Sequence, residues 1–286
     1  MPDIRVRRVQ LADGTGIRVA ESGEPSAPAI LLVHGWAASL YMWRAWFAPL
    51  AASGFRTIAL DLPGHGLSDK PTDTGRYTVE RMVAAVREVA EIERLDAPHI
   101  VGQSMGGAIT LELALRKEIS LGRLILVNPA SFGNVHIVPL ARRASPLVME
   151  PVLERIVPRW IVARAHRRVY GDPSLISDAD VDQYWAPTQF PGYASAMRRL
   201  VHEFTWRRAP ARDLAARLMT LRPPTVPVLV VLGTRDRLVR DARPYVAELR
   251  SAGAPLEVYT SVGGGHSVNE ERPDEIIPAV LEFIRR

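Results

Sequence analysis

A chain of 286 residues, of which 47% are hydrophobic and 23% charged, has the make-up of a large globular protein rather than a fibrous or disordered one. Cysteine is absent, which excludes disulfides, thiolate nucleophiles and cysteine-ligated zinc. The net charge of +5 is carried by arginine, with Lys70 and Lys117 the only lysines; no basic run interleaved with aromatics accompanies it, so no nucleic-acid partner is expected.

The N-terminus, Met1-Pro2-Asp3-Ile4-Arg5, lacks an apolar core behind a basic start, so no signal peptide is expected. No stretch approaches the ~18–20 uninterrupted apolar residues of a membrane span. A cytoplasmic location is the default expectation, and membrane association is not the expected reading although it stays open.

In chain order, Ile4 to Leu11 and Gly16 to Glu21 read as strands around the hairpin signal Ala12-Asp13-Gly14-Thr15. Ala29 to Val33 is a continuous apolar run of the kind buried on both faces of a parallel sheet, and His34-Gly35-Trp36 follows it. Trp43, Trp46, Phe47 and Leu50 recur at helical spacing and predict a packed helix that Gly54 ends. Phe55 to Leu60 is the next strand, running into the constrained turn Asp61-Leu62-Pro63-Gly64-His65-Gly66-Leu67-Ser68. There Asp61 and Ser68 read as structural turn residues. Thr78 opens an amphipathic helix through Met82, Val86, Val89 and Ile92.

Pro98 to Val101 is a buried-strand run that leads into Gly102-Gln103-Ser104-Met105-Gly106, and a helix-forming run continues from Ala108 to Lys117. Strand, sharp turn and helix is the context in which Gly-x-Ser-x-Gly presents a nucleophile. Glycines at 102 and 106 leave the turn room that a Cβ would fill. Arg123 to Val127 is a further strand, ending in Asn128-Pro129-Ala130 with no carboxylate. From Ser131 to Thr225 the α/β rhythm breaks into helix-like pieces with scattered prolines. Regular form returns with strand Val228 to Leu232, Gly233-Thr234-Arg235-Asp236, a helix over Arg240 to Ser251, strand Leu256 to Val262, and Gly263-Gly264-Gly265-His266. The three glycines predict a flexible loop for the histidine. The last helix starts near Asn269 or Pro273, with Asn269 as its cap and Glu270 and Glu271 in its first turn.

A serine hydroxyl attacks a carbonyl only when a base takes its proton and an acid orients that base. Asp236 and His266 supply both, each in a loop past a strand's carboxyl end, where open α/β sheets hold their ligands. The order Ser104, Asp236, His266 is that of the α/β-hydrolases.

On these residues the chain resembles the α/β-hydrolase superfamily along nearly its whole length, in the serine branch with a helical cap. Carboxylesterases and lipases belong there, and the meta-cleavage-product C–C hydrolases are similar too. Haloalkane dehalogenases and epoxide hydrolases share the pattern but place aspartate where Ser104 stands. The resemblance implies a mostly parallel, doubly wound sheet of about eight strands, with residues 1–130 and 226–286 as the core and 131–225 as the cap. It also implies an oxyanion hole from the backbone amides of Trp36 and Met105. His34, beside the oxyanion loop, is expected to hydrogen-bond structurally.

The expected reaction is hydrolysis of a carboxylic ester of a small to medium, largely apolar substrate, needing no metal or organic cofactor. C–C bond hydrolysis is the alternative; it matches Ser104-Met105-Gly106-Gly107, but Trp36-Ala37-Ala38-Ser39 stands where its glycine-rich oxyanion loop would be. Perhydrolase or lactonase chemistry, and a non-catalytic receptor on the same fold, stay open. Candidate walls of the pocket are Phe132, Val135, Ile137, Leu147, Met149, Trp160, Tyr184, Trp185, Phe190 and Met197. The arginines of the insertion (Arg155, Arg159, Arg164, Arg167, Arg168) fit a solvated face, an acidic group on the substrate, or a lipid surface met by the piece from Val148 to Ala165.

Overall fold

The computed structural model describes residues 4–135, 137–144, 157–206, 208–221 and 226–286. Eight strands form one sheet in the order β1-β2-β4-β3-β5-β6-β8-β10. They are Arg5–Gln10 (β1), Gly16–Ser22 (β2), Ala29–Val33 (β3), Arg56–Leu60 (β4), His99–Gln103 (β5), Leu124–Val127 (β6), Val228–Gly233 (β8) and Leu256–Ser261 (β10). The hairpin β1–β2 and the pair β2–β4 are antiparallel, and every other pairing in this sheet is parallel. A short ribbon, Asn134–Val135 (β7) with Val239–Arg240 (β9), stands apart from it.

The central strands are mostly apolar because both faces are covered, and alternate side chains enter two cores. Leu31, Val33, Ile100, Leu126, Val230 and Leu232 face one. Ile30, Leu32, Val101, Ile125, Val127 and Val231 face the other. Helices Val79–Ile92 (α2), Met105–Arg116 (α3) and Ala242–Ser251 (α9) supply the first core, while Phe47–Ala52 (α1) and Pro273–Arg285 (α11) supply the second. Trp43 and Trp46 are fully buried in the second core, as their spacing predicted, though Trp43 lies on a 3₁₀ turn, Leu40–Trp43, ahead of α1.

Between β6 and β8 lie helices Ile137–Ala144 (α4), Arg159–Val169 (α5), Asp178–Trp185 (α6), Tyr193–Glu203 (α7) and Ala211–Met219 (α8). The apolar faces of α7 and α8 join the first core through Met197, Leu200, Leu214 and Leu218. By contrast α5 and α6 share a small cluster of their own, Ala163, Tyr170, Ile176 and Val181. The helix expected within Val148 to Ala165 begins, in its described part, at Arg159 after Pro158, whose ring suits a helix start. Its earlier residues, with Leu147, Met149 and Arg155, lie outside the described residues.

Three local expectations are corrected. The helix after Asp236 starts at Ala242, because Arg240 is drawn into the ribbon with Asn134. The helix after the serine begins at Met105, a turn earlier than its apolar pattern suggested. At the C-terminus the last helix does start at Pro273, but Asn269 does not cap it: Asn269, Glu270 and Glu271 lie buried on a separate turn, Val268–Glu271 (α10).

Candidate active site

The chain leaves β3 to one side, pairing it with β4, and then returns to place β5 on its other side. Ligands of open α/β sheets bind at such a reversal, outside the carboxyl ends of the strands. The loops after β3 and β5 meet there, since Val33 pairs with Gly102 at the two strand ends.

Ser104 occupies the turn between β5 and α3 at φ 52°, ψ −114°. A non-glycine residue in that region is strained and persists only when its surroundings over-determine it. They do. The Ser104 N–H donates to Val127 at 2.9 Å, and its carbonyl accepts from Ala108 at 3.1 Å and Ala130 at 2.9 Å. A Cβ on Gly102 would come within 2.6 Å of the Gly106 carbonyl oxygen, and one on Gly106 within 2.4 Å of the Val33 and His34 oxygens. Glycine at both positions lets the end of α3 press against the end of β3, which brings Trp36 beside the serine. The amides of Trp36 and Met105 donate no hydrogen bond to another described residue.

His266 Nδ1 lies 2.8 Å from Asp236 Oδ2, with both side chains buried. The other oxygen of Asp236 accepts the N–H groups of Leu238 at 2.8 Å and Val239 at 3.0 Å, which fixes the carboxylate. Ser104 and His266 line one cavity of about 260 Å³. The five residues expected at the site thus cluster at the carboxyl edge of the sheet.

The histidine loop is packed, contrary to the expectation of flexibility. A Cβ on Gly265 would meet the Gly171 nitrogen at 2.2 Å and the Val169 oxygen at 2.6 Å. The glycine therefore serves close approach to the insertion. The N–H groups of His266 and Ser267 donate to Val169 O at 2.7 and 3.2 Å. Asn128 and Gln103 both donate to the His266 carbonyl, at 2.9 and 3.0 Å.

His34 is structural. Its Nε2 accepts the Leu62 N–H at 3.0 Å, and burial pushes its pKa down, so the ring stays neutral. Asp61 accepts from Leu40 and Leu67 and pairs with Arg18, while Ser68 donates to the Asp61 carbonyl.

Of the walls expected from sequence, Val135 and Tyr184 line the cavity. Phe132 packs against Tyr245, Met197 is buried in the first core, and Trp160 and Phe190 point to solvent. Trp185 packs at the edge of the second core. Leu147 and Met149 are outside the described residues, as is the side chain of Ile137. The remaining wall includes Trp206, Met42, Leu238, His166 and Glu270. Trp206 carried no periodic signal, and His166 reads in sequence as one polar residue within an arginine-rich helix. Glu270 is held by Arg44 and by Tyr184 Oη at 2.7 Å, and burial pushes its pKa up. His166 stacks on Tyr184 with ring centroids 3.9 Å apart.

Residues 30–279 match the model of the alpha/beta hydrolase family, and the chain belongs to that family. It has the α/β-hydrolase fold, with an eight-stranded, mostly parallel sheet. YugF, an uncharacterized hydrolase of Bacillus subtilis, is 27% identical over 282 residues, covering 96% of each chain. Among solved structures, a 2-hydroxy-6-oxo-6-phenylhexa-2,4-dienoate hydrolase from a Rhodococcus species superposes with a TM-score of 0.77 at 21% identity, over all of both chains. An esterase from Exiguobacterium antarcticum gives 0.77 at 18% identity, over 99% of this chain and 100% of that one. No helix among the described residues is long and apolar enough to cross a membrane.

Proposed function

We propose that this chain is a serine hydrolase that cleaves a carboxylic ester of a small, largely apolar substrate. The reading rests on the 2.8 Å contact of His266 Nδ1 with Asp236, next to a serine held at φ 52° in the same cavity. With Nδ1 given to the carboxylate, Nε2 is the nitrogen free for the Ser104 hydroxyl. His266 takes that proton as Oγ bonds to the ester carbonyl carbon. Asp236 keeps the ring in the tautomer this requires and stabilises the imidazolium. The amides of Trp36 and Met105 hold the oxyanion; one such donor is worth about 100–1,000-fold in rate. As the carbon–oxygen bond breaks, His266 returns the proton to the leaving alkoxide. A water deprotonated by His266 then frees the acid from Ser104.

Residues 131–225 act in this reading as a cap that supplies one wall and excludes water. Ala165, His166, Val169, Tyr184 and Trp206 face the cavity from it. At about 260 Å³ the cavity is at the small end for ligand sites, which favours short acyl chains.

Hydrolysis of p-nitrophenyl esters from acetate to palmitate tests the reading. Turnover should peak at short chains and fall at least about a thousandfold in Ser104→Ala. C–C hydrolysis of a vinylogous β-diketone is the second reading, because Ser104-Met105-Gly106-Gly107 fits it equally. Turnover of such a dienoate with no ester hydrolysis would establish it instead. Ligand-induced stabilisation with no turnover of either would mark a receptor.

A further inference from the structure

Three arginines, Arg168, Arg237 and Arg240, line the cavity that holds Ser104 and His266. Arg168 and Arg237 also line a second hollow of about 700 Å³ on the outer surface, together with Arg164, Arg167 and Trp160. These two residues border both hollows and make up the rim the two share.

Several other arginines are paired with carboxylates. Arg44 holds Glu270 and Asp180, Arg56 holds Glu21 and Glu93, and Arg159, on the same helix as Arg168, holds Asp178 and Asp182. Arg168 and Arg237 have no ion-pair or hydrogen-bond partner among the described residues. Glu270, which lines the same cavity, is engaged by Arg44 and Tyr184, and Asp236, next to Arg237 in the chain, by His266. A solvated helix face would account for Arg164 and Arg167. It does not account for one arginine from α5 and another from the loop after β8 bordering the same two hollows, where like charges repel and an anion would relieve them.

Both arginines are also in register with the catalytic centre. Arg168 precedes Val169, whose carbonyl accepts the His266 N–H at 2.7 Å. Arg237 follows Asp236, whose carboxylate accepts the N–H groups of Leu238 and Val239 just beyond it.

We propose that this rim binds an oxyanion carried by the substrate itself. The group is a carboxylate or phosphate distal to the scissile bond, gripped by Arg168 and Arg237, while the apolar body fills the cavity between Trp36, Val135, Trp206 and Leu238. Guanidinium forks match both anions in geometry and charge. The inference rests on the hydrolase reading and narrows its substrates to half-esters with an acidic tail.

The test compares kcat/KM for mono-p-nitrophenyl glutarate with that for neutral p-nitrophenyl valerate, in the wild type, Arg168→Gln, Arg237→Gln and the double variant. The anionic ester should be preferred, and the ratio of the two should fall about tenfold per substitution, through KM. In the wild type the ratio should also shrink in about 0.5 M sodium chloride, roughly three times physiological ionic strength. Competition by glutarate or by inorganic phosphate tells which anion fits. A ratio equal in wild type and double variant overturns the proposal, as it does if the protein instead sediments with phosphatidylglycerol vesicles in a Trp160-dependent way. Should neither ester be turned over, the hydrolase reading fails, and calorimetric titration with glutarate still decides the rim. Binding lost in the double variant supports it, and no binding in the wild type overturns it.

Discussion

The side-chain amide of Asn128 donates to the carbonyl oxygen of His266 at 2.9 Å, from the end of β6 to the loop after β10. The same nitrogen reaches the Gly265 carbonyl at 2.9 Å, and the Asn128 oxygen accepts the Gly233 N–H at 3.0 Å. Gln103, next to Ser104, donates to the same His266 carbonyl. The backbone of the proposed base is thus held by the residue beside the nucleophile and by a strand end lying between them. Asn128 does this at φ 41°, a conformation asparagine tolerates better than most residues.

Asn128→Asp should therefore be far from neutral. A carboxylate cannot donate, and it would face two carbonyl oxygens in a buried site. The lost bonds and the unsatisfied groups left behind should cost about 2–4 kcal/mol of stability, and kcat should fall as the histidine loop shifts. Urea unfolding together with ester kinetics on the same sample reads both. A variant within about 0.5 kcal/mol of wild type would mean that Gln103 alone suffices.

The role of Asn128 illustrates what could be read from the chain and what could not. Strands with buried runs, the elbow and the order Ser104, Asp236, His266 were legible because strand patterning and the Gly-x-Ser-x-Gly turn are local signals. In sequence Asn128 was only a position without a carboxylate; its partners are more than 100 residues away, at 233, 265 and 266. Gly265 read as freedom because glycine permits it, whereas the fold uses it for close approach to Gly171. The pocket walls were the least legible. Exposure of Trp160 and burial of Trp206 are set by how α5 and α7 dock, and no periodicity in either segment encodes that.

Glu271 joins the insertion to the histidine loop. Its Oε2 accepts the N–H of Gly171 at 3.0 Å and of Gly265 at 2.7 Å, and its Oε1 accepts that of Asp172 at 2.9 Å. Hydrogen bonds to a charged acceptor are worth about 1.5–3 kcal/mol each. Glu271→Gln presents an NH₂ group to amides that also donate, so a loss of about 2–3 kcal/mol is expected, with hydrogen exchange at Gly171 and Gly265 rising together. Faster exchange at one of the two without the other would show that the clamp is not a single unit.

His166 gives the cavity wall a pH dependence. Burial pushes its pKa down to about 4, with Asp180 pulling it up and Arg44 adding to the depression. A base disfavoured in its charged form contributes stability that is full above its ordinary value of 6.5 and lost as pH falls toward 4. At 1.36 kcal/mol per pH unit the loss amounts to at most about 3 kcal/mol. His166→Phe keeps the stacking on Tyr184 and removes the proton. The advantage of wild type over this variant should therefore shrink between pH 7 and pH 4 by up to that amount, seen as converging urea midpoints. A pH-independent difference would count against a titrating His166.

Trp206 sets the depth of the cavity. Its ring stands edge-on to Trp36 with centroids 6.2 Å apart, and its Nε1 donates to the Leu200 carbonyl at 2.9 Å. Truncation to alanine would remove core packing as well, at about 3–5 kcal/mol, and so confuse folding with specificity. Trp206→Leu keeps an apolar side chain against Phe204 and shortens the wall. Each methylene newly accommodated in an apolar pocket is worth about 1–3 kcal/mol of discrimination. The optimum along the p-nitrophenyl ester series should accordingly move to longer chains, with kcat/KM for acetate falling as the small acyl group loses its wall. An unchanged optimum in folded Trp206→Leu would place the acyl chain elsewhere, toward Val135 and Leu238, and leave Trp206 facing the leaving group.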